Sequence, residues 1–431
     1  MTLLSETKAV HIDSASICVI GLGYVGLPLA LGFCATQPKV IGFDVSPRRL
    51  MTVAGEVGRE NGHCHNLVLS NDPSVIALAD FAIICVPTPV NQWNVPDLGD
   101  VQAATALVGR NMKRGCTVVL ESTVYPGVTE EIMIPILEKE SGFICGADFK
   151  VGYSPERVNP GDDEHAINRI TKVVAGIDDE TTERLAALYS RVAGSVFKAR
   201  SIKVAEACKV VENTQRDVNI ALMNELAMMF ERMGISLFDV LEAAGTKWNF
   251  HRYVPGLVGG HCISVDPYYL FHRGQEFGYH AQLILTARNV STNMARYVAE
   301  KIIKALCDVG KPICGAKVMV MGVTYKENVP DVRGSLVFVI MHELHQYGVN
   351  IVVHDPVVTD ACWPSHVRVV DTLDTVSGVD AIIVAVPHDQ FKSLSLDDLK
   401  RVTVGLPVLL DIKLMFNEVE AVAKGFCYRT L

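Results

Sequence analysis

The sequence predicts an α/β protein with two doubly wound, Rossmann-like parallel sheets joined by a long central helix. Three observations carry that expectation. Short apolar runs alternate with helical stretches, the layout is duplicated in the two halves of the chain, and an uninterrupted helical segment lies between them.

In the first half, the apolar run 16–20 leads into Gly21 and the run 39–43 ends at Asp44. The run 80–86 meets Pro87, and 117–120 leads into Glu121-Ser122-Thr123. The second half repeats the order. Residues 317–321 lead into Gly322, 350–354 end at Asp355, 380–386 meet Pro387, and 407–410 end at Asp411. Val-Ile-Gly-Phe-Asp at 40–44 parallels Val-Val-His-Asp at 352–355, and Phe-Ala-Ile-Ile-Cys-Val-Pro at 81–87 parallels Ala-Ile-Ile-Val-Ala-Val-Pro at 381–387. Apolar strands resemble one another by chance, but the matching order of strand-end Asp and strand-end Pro argues for duplication. Continuous apolar runs of this length read as strands buried on both faces of a parallel sheet.

Between the halves, residues 201–233 contain no Pro or Gly, and Gly234 supplies a stop. A helix there spans roughly 50 Å at about 1.5 Å per residue. Residues 282–309 form a second long helical stretch. Gly245, Pro255, Gly256, Gly259 and Gly260 break the intervening segment 245–266 into a loop. A loop that long inside a compact protein is usually functional. The expected division is 1–200, a dinucleotide-binding domain; 201–309, a helical domain with the catalytic loop; and 310–431, a second nucleotide-binding domain.

A chain of 431 residues exceeds one ordinary core, so two or three domains are expected. The net charge of -9 argues against general nucleic-acid binding, although helix N-termini still hold an anionic ligand locally. No run of 18 apolar residues suggests a membrane span, and residues 1–13 lack a secretory pattern, so a cytoplasmic location is expected. The 12 cysteines include no Cys-x-x-Cys pair. His63-Cys64-His65 has no second ligand cluster and reads as a polar loop, so no metal is expected.

Gly21-Leu-Gly23-Tyr-Val-Gly26 follows a strand and opens a helix. Gly21 permits the tight turn, Gly23 lets backbone approach a pyrophosphate, and Gly26 allows close helix–strand packing. Asp44 lies 23 residues beyond Gly21, where a carboxylate accepts from ribose hydroxyls and repels a 2′-phosphate. NAD is therefore favoured over NADP, although Arg48 and Arg49 follow Asp44. The second half has Gly322-Val-Thr-Tyr-Lys326, without spaced glycines, so no second dinucleotide is expected. Lys326 and Arg333 flank the turn 328–331. They either meet the phosphates of a single nucleotide or are solvated surface charges.

Cys262, in Gly-Gly-His-Cys-Ile-Ser-Val-Asp-Pro at 259–267, follows two glycines that permit an exposed backbone, with Asp266 four residues on. A thiolate there is a nucleophile, and a cation such as Lys209 lowers its pKa if the two converge. The bland alternative is one more buried cysteine. Lys209 and Asn213 share one helix face and either stabilise an oxyanion or line an exposed polar surface. Glu156, at a strand end, is either a general base for water or an ion-pair partner of Arg157.

These motifs resemble the UDP-glucose/GDP-mannose dehydrogenase family over essentially the whole chain. The matching features are Gly-Leu-Gly-Tyr-Val-Gly-Leu-Pro (21–28), Val-Pro-Thr-Pro (86–89), Glu-Ser-Thr-Val (121–124), Ser-Pro-Glu-Arg (154–157), Lys209 with Asn213, Gly-Gly-His-Cys (259–262) with Asp266, and Lys326 with Arg333. Residues 246–250, 255–262 and 266–270 are similar to the branch acting on UDP-N-acetylhexosamines in Vi-antigen and O-antigen pathways. The resemblance implies a four-electron oxidation of the sugar C6 to the acid, through a thiohemiacetal and a thioester on Cys262.

By that resemblance Lys209 and Asn213 stabilise oxyanions, Asp266 and Thr123 position a water or proton carrier, and Glu156 assists thioester hydrolysis. NAD would lie against Gly21, Gly23, Tyr24, Val25, Gly26, Asp44, Arg49, Thr88, Thr123 and Arg333. The UDP-sugar would meet Glu156, Arg157, Lys209, Asn213, Arg252, Tyr253, Gly259, Tyr325, Lys326 and Lys413. A homodimer or larger homo-oligomer through the long helix is also implied, with neither nucleic acid nor membrane as partner. Two positions depart from the family pattern. Pro160 stands where some relatives carry a second acid, and Val254 stands where an Arg precedes Pro-Gly. UDP-GlcNAc is the favoured substrate, then UDP-GalNAc, with UDP-glucose and UDP-ManNAc behind. The rival readings are a two-electron hydroxyacid-type dehydrogenase and a non-catalytic NAD-binding regulator.

Overall fold

The structure is a computed structural model that describes residues 12–60, 64–158, 163–358 and 361–431. Residues 1–11, His63 and Pro160, on which the leader, metal and second-acid readings bear, lie outside the described residues. The chain divides into two compact units: residues up to Glu212 with Tyr268–His280, and Asn213–Pro267 with Ala281–Leu431.

The first unit carries strands β1 (Ser16–Ile20), β2 (Lys39–Phe43), β3 (Leu67–Ser70), β4 (Phe81–Ile84), β5 (Thr117–Leu120), β6 (Lys150–Tyr153), β7 (Thr171–Gly176) and β8 (Ser195–Lys198). Their order is β3-β2-β1-β4-β5-β6-β7-β8, parallel except where β6 meets β7. Ile20 pairs with both Phe43 and Ile84, so β1, β2 and β4 end level with one another. That common edge sets Gly21, Asp44 and Cys85 side by side at the carboxyl ends of the strands, where open α/β sheets bind ligands. Ile17, Val19, Phe33, Ile83 and Val119 fill the core beneath. Every residue of β4 and β5 is buried, which accounts for their unbroken apolar character.

The second unit carries β9 (Lys317–Met321), β10 (Asn350–His354), β11 (Val367–Val369), β12 (Val379–Val384), β13 (Thr403–Asp411) and β14 (Cys427–Thr430). Their order is β11-β10-β9-β12-β13-β14, all parallel, and it repeats the order of the first six strands of the other unit. The duplication read from sequence is therefore a duplication of topology.

Three strand limits differ from the sequence reading. The runs 80–86 and 380–386 leave their sheets after Ile84 and Val384, because Pro87 and Pro387 lack a ladder donor and bias the residue before them away from regular pairing. The strand expected at 407–410 begins at Thr403. Gly405 and Pro407 hid its first half, which joins β12 through a register shift between Val379 and Ala381, an irregularity that tolerates proline.

The long helix runs Ile202–Met233, beginning in the first unit and continuing into the second. Gly234 ends it with a φ of 69°. The second long helix is Gln282–Asp308. Buried Asp217 joins the two, accepting from Arg288 Nη1 at 2.7 Å and from Ser291 Oγ at 3.2 Å. Among the described residues no helix is long and apolar enough to cross a membrane.

Candidate active site

The dinucleotide cradle of the first unit is built from backbone. Gly21 has a φ of 90°, and its N–H donates to Phe43 O at 2.9 Å. A Cβ on Gly26 would stand 1.9 Å from Gly21 O, so only glycine lets the following helix, Gly26–Cys34, begin this close to the strand end. A Cβ on Gly23 would meet nothing within 4 Å, which leaves the open approach that a pyrophosphate needs. No side chain caps the helix N-terminus, so its N–H groups and dipole face that opening. Asp44 accepts from Leu22 N at 3.0 Å and Ser46 N at 2.9 Å, which fixes the carboxylate at the mouth with acceptor capacity remaining. Arg49 Nε donates to Leu22 O at 2.7 Å and so braces the same loop. The cradle fits a dinucleotide.

Tyr24 is half-exposed and Val25 precedes the helix. Thr88 and Pro89 offer their carbonyls to Tyr269 OH at 3.0 and 3.3 Å, so the helix carrying Tyr269 is tied to the β4 end. Thr123 follows Glu121 and Ser122 at the β5 end. Glu121 is fully buried and paired with Lys172 Nζ at 2.7 Å, while Tyr189 OH donates to its other oxygen at 2.5 Å. Lys172 also donates to Pro155 O at 2.9 Å, directly before Glu156. This buried network positions the β5 and β6 ends together. The sequence reading missed it, although a lysine inside the apolar strand Thr171–Gly176 is the signal of a paired buried charge.

Glu156 is engaged by backbone: its Oε1 accepts from Arg157 N at 2.8 Å and from Val158 N. Arg157 reaches Glu212 at 2.6 Å and Thr171 O at 2.7 Å. On the long helix, buried Glu206 accepts from Gly127 N at 2.5 Å and Thr129 N at 2.9 Å, anchoring the turn that leads to Lys209.

The loop between Ala244 and Asp266 is held from two sides within the second unit. The long helix presents Asn213, Asp217 and Asn224, spaced to share one face. Asn224 makes a reciprocal pair with Gly256, at 2.8 and 3.1 Å. Asn213 Nδ2 donates to Asp266 Oδ2 at 2.5 Å, and Asp266 is buried at the start of the helix Asp266–Glu276. Gln215 bonds Tyr253 OH at 2.9 Å, and Arg252 Nη2 reaches Gly245 O at 3.3 Å. Val254 is half-exposed.

From the other side comes the segment after β9. Gly260, with a φ of 87°, donates to Gly334 O at 3.0 Å, and a Cβ on Gly259 would stand 2.5 Å from that same oxygen. Tyr325 packs against Gly260, so close that a Cβ there would stand 2.7 Å from the ring. Lys413 Nζ overlies Gly256, 2.6 Å from where a Cβ would be. Lys326 is partly buried and Arg333 exposed. Cys262 is exposed, as a reactive thiol requires. The structure thus brings together Asn213, Asp266 and Cys262, and separately Gly259, Tyr325 and the Arg333 segment. Lys209, Glu156, Arg157 and the glycine cradle belong to the first unit.

His388 was also missed. It is fully buried in the second unit, 3.2 Å from Asp355, and accepts Asn328 N–H on Nδ1 at 2.9 Å. The duplication held the signal, since His388 follows Val-Pro where Thr88 does in the first half.

Comparison with known proteins agrees with this arrangement. The chain matches the NAD binding domain of the UDP-glucose/GDP-mannose dehydrogenase family at residues 15–193, its central domain at 203–293 and its UDP binding domain at 319–418. The chain belongs to this family. Like other members it is an NAD-dependent oxidoreductase. Among relatives, Protein CapL of Staphylococcus aureus is 47% identical, covering 94% of this chain and 97% of that one. The UDP-N-acetyl-D-glucosamine 6-dehydrogenase of Salmonella typhi is 43% identical, covering 93% and 96%. Among solved structures, a UDP-D-ManNAc dehydrogenase from Pyrococcus horikoshii superposes with a TM-score of 0.85 at 28% identity, covering 96% and 98%.

Proposed function

We propose that this family member oxidises C6 of a UDP-N-acetylhexosamine to the uronic acid, UDP-GlcNAc before UDP-GalNAc, for surface polysaccharide synthesis. The observation that carries the reading is the exposed Cys262, set on a glycine turn whose next helix opens with Asp266 held by Asn213. NAD bound at the glycine cradle supplies the hydride acceptor for each of two oxidations. Cys262 adds to the aldehyde and keeps it from escaping as a thiohemiacetal, then holds the acid level as a thioester. Lys209 and Asn213 stabilise the oxyanions, Asp266 and Thr123 position the proton carrier, and Glu156 assists hydrolysis. Tyr325, Lys326, Arg252, Tyr253, Gly259 and Lys413 receive the nucleotide sugar, while Arg333 serves the cofactor.

The choice of sugar is supported by the name of the Salmonella typhi relative; a UDP-ManNAc substrate, named for the Pyrococcus horikoshii structure, would use the same cysteine chemistry. The enzyme pairs as a homodimer through its long helix. Supporting this, Val204, Val211, Leu222, Met229 and Met233 are each 45–58% exposed and recur at spacings of 7, 11, 7 and 4 residues, which places them on one face.

The test is NADH formed per sugar, with sugar limiting. Two per UDP-GlcNAc or UDP-GalNAc is expected. One would mean a simple alcohol dehydrogenase, and none with either sugar would sink the substrate assignment in favour of UDP-ManNAc, UDP-glucose or GDP-mannose.

A further inference from the structure

The second unit holds a Cys–His–Asp arrangement that the proposed mechanism does not use. His261 Nδ1 lies 3.3 Å from Cys262 Sγ, and His261 Nε2 lies 3.2 Å from Asp331 Oδ2. Adjacent side chains seldom turn toward each other. Here the left-handed Gly260, tied to Gly334 O, sets the bend that brings them together. The imidazole is held in place by Tyr325, whose ring centroid lies 5.3 Å away at 58°.

The tautomer follows from the partners. Asp331 is 4% exposed and its carboxylate only accepts. It is itself fixed by Arg333, whose backbone N–H and Nε reach Oδ1 at 2.9 and 3.0 Å, and whose Nη2 reaches Oδ2 at 2.7 Å. His261 Nε2 must therefore carry the hydrogen, which leaves Nδ1 as an acceptor aimed at the thiol. Arg333 Nη2 also lies 3.2 Å from Nε2, but its shorter contact is to Asp331, which is where its hydrogen is directed. Burial and the Arg333 charge together outweigh Asp331 and hold His261 below its ordinary value, in the neutral form that accepts a proton.

We propose that His261 is the base that takes the proton of Cys262, with Asp331 as the residue that orients it. The proposal rests on the reading of Cys262 as the nucleophile. The Sγ–H proton passes to His261 Nδ1, and the sulfur pair left behind forms the S–C bond to the aldehyde carbon. The carbonyl π pair moves onto oxygen, which takes a proton, so a thiol has added across C=O without oxidant or reductant. Asp331 stabilises the imidazolium in between, the logic by which a third group supports a nucleophile–base pair. Lys209, the cation suggested by sequence, belongs to the first unit; the contact described at the sulfur within the second unit is His261.

The groups facing the imidazole among the described contacts are Cys262 on its own loop and Tyr325, Asp331 and Arg333 on the facing segment. The experiment is alkylation of the full-length protein by iodoacetamide between about pH 5.5 and 9.5, with modification at Cys262 read by peptide mass. Wild type should show a thiolate midpoint below the ordinary thiol value of about 8.5. In His261→Gln the midpoint should rise by about one pH unit or more, and the rate at pH 7 should fall about tenfold, as a thiolate fraction set by pKa requires. Asp331→Asn should move the midpoint the same way by less. Retained binding of uridine diphosphate checks that each variant is folded. A His261→Gln profile that superimposes on wild type overturns the proposal. So does an ordinary midpoint in wild type, which needs no variant to fold. Full turnover in Cys262→Ser would instead sink the nucleophile reading and leave the alkylation comparison standing.

Discussion

The two halves of this molecule share a strand order and a strand-end aspartate, yet they treat that aspartate in opposite ways. Asp44 and Asp355 each close the turn after the first strand, accepting from Leu22 N at 3.0 Å and Val323 N at 2.7 Å. Asp44 remains partly exposed beside an open cradle. Asp355 is 1% exposed, sealed by His388 at 3.2 Å. Burial pushes Asp355 up, but His388 and the Val323 and Val357 N–H groups outweigh it and hold the carboxyl below its ordinary range. The helix position differs too. In the first half it begins at Gly26, and in the second at Val337, after a long turn carrying Tyr325, Lys326 and Asp331. One topology thus builds a dinucleotide cradle in one copy. In the other it builds a platform on which the Cys262 loop rests. The lesson is that the sheet supplies positions at its carboxyl edge, and a single side chain after the fourth strand, Thr88 or His388, decides whether the aspartate is offered to a ligand or used internally.

The sharpest way to break this comparison is at the glycines. Gly26→Ala should lower NAD affinity about 100-fold or more, ~2.7 kcal/mol, because the added carbon would stand 1.9 Å from Gly21 O and push the helix from the cradle. Calorimetric titration with NAD and with uridine diphosphate should show loss of the first alone. Gly322→Ala, with its Cβ 2.4 Å from Val386 O, should instead weaken the second unit and spare NAD.

Next comes the seal. His388→Ala leaves Asp355 buried without its imidazole and Asn328 N–H without its acceptor, a loss of about 2–4 kcal/mol of stability. Thermal unfolding should register it. Uridine diphosphate affinity should fall about tenfold, ~1.4 kcal/mol, while NAD affinity is unchanged. The unsealed half should not gain a dinucleotide site, since it lacks the spaced glycines and the adjacent helix. NAD binding at two sites in this variant would refute the comparison.

The smallest effect is at the aspartates. Asp44→Asn should shift the NADP-to-NAD preference toward NADP about tenfold, ~1.4 kcal/mol, by removing one charge from the ribose position. Asp355→Asn should leave that preference where it was. Steady-state kcat/KM with each cofactor makes the measurement, and an equal shift in both variants would mean that Asp44 is not the discriminating carboxylate.

Much of this was legible in the chain. The strands Ser16–Ile20, Lys39–Phe43, Thr117–Leu120, Lys317–Met321 and Asn350–His354 have the limits expected, because each is a buried apolar run with a sharp polar or glycine end. The polar half-buried strands, Leu67–Ser70 and Ser195–Lys198, carry no such contrast and were not anticipated. In the site, the glycine cradle and Cys262 were readable because local backbone geometry demands particular residues there. The Asn213–Asp266 bond was readable only as two separate motifs 53 residues apart.

The sequence by itself determined the two βαβ halves, the glycine turn, the placement of Asp44 and the exposed setting of Cys262. These follow from periodicity and from the few residue types that tolerate a left-handed or crowded backbone. Tertiary structure alone decided that His388 closes over Asp355, that Lys172 and Tyr189 meet Glu121, and that His261 lies between Cys262 and Asp331. The paired groups are 33, 51, 68 and 70 residues apart, and no local pattern records which way a side chain turns once sheets and loops are packed.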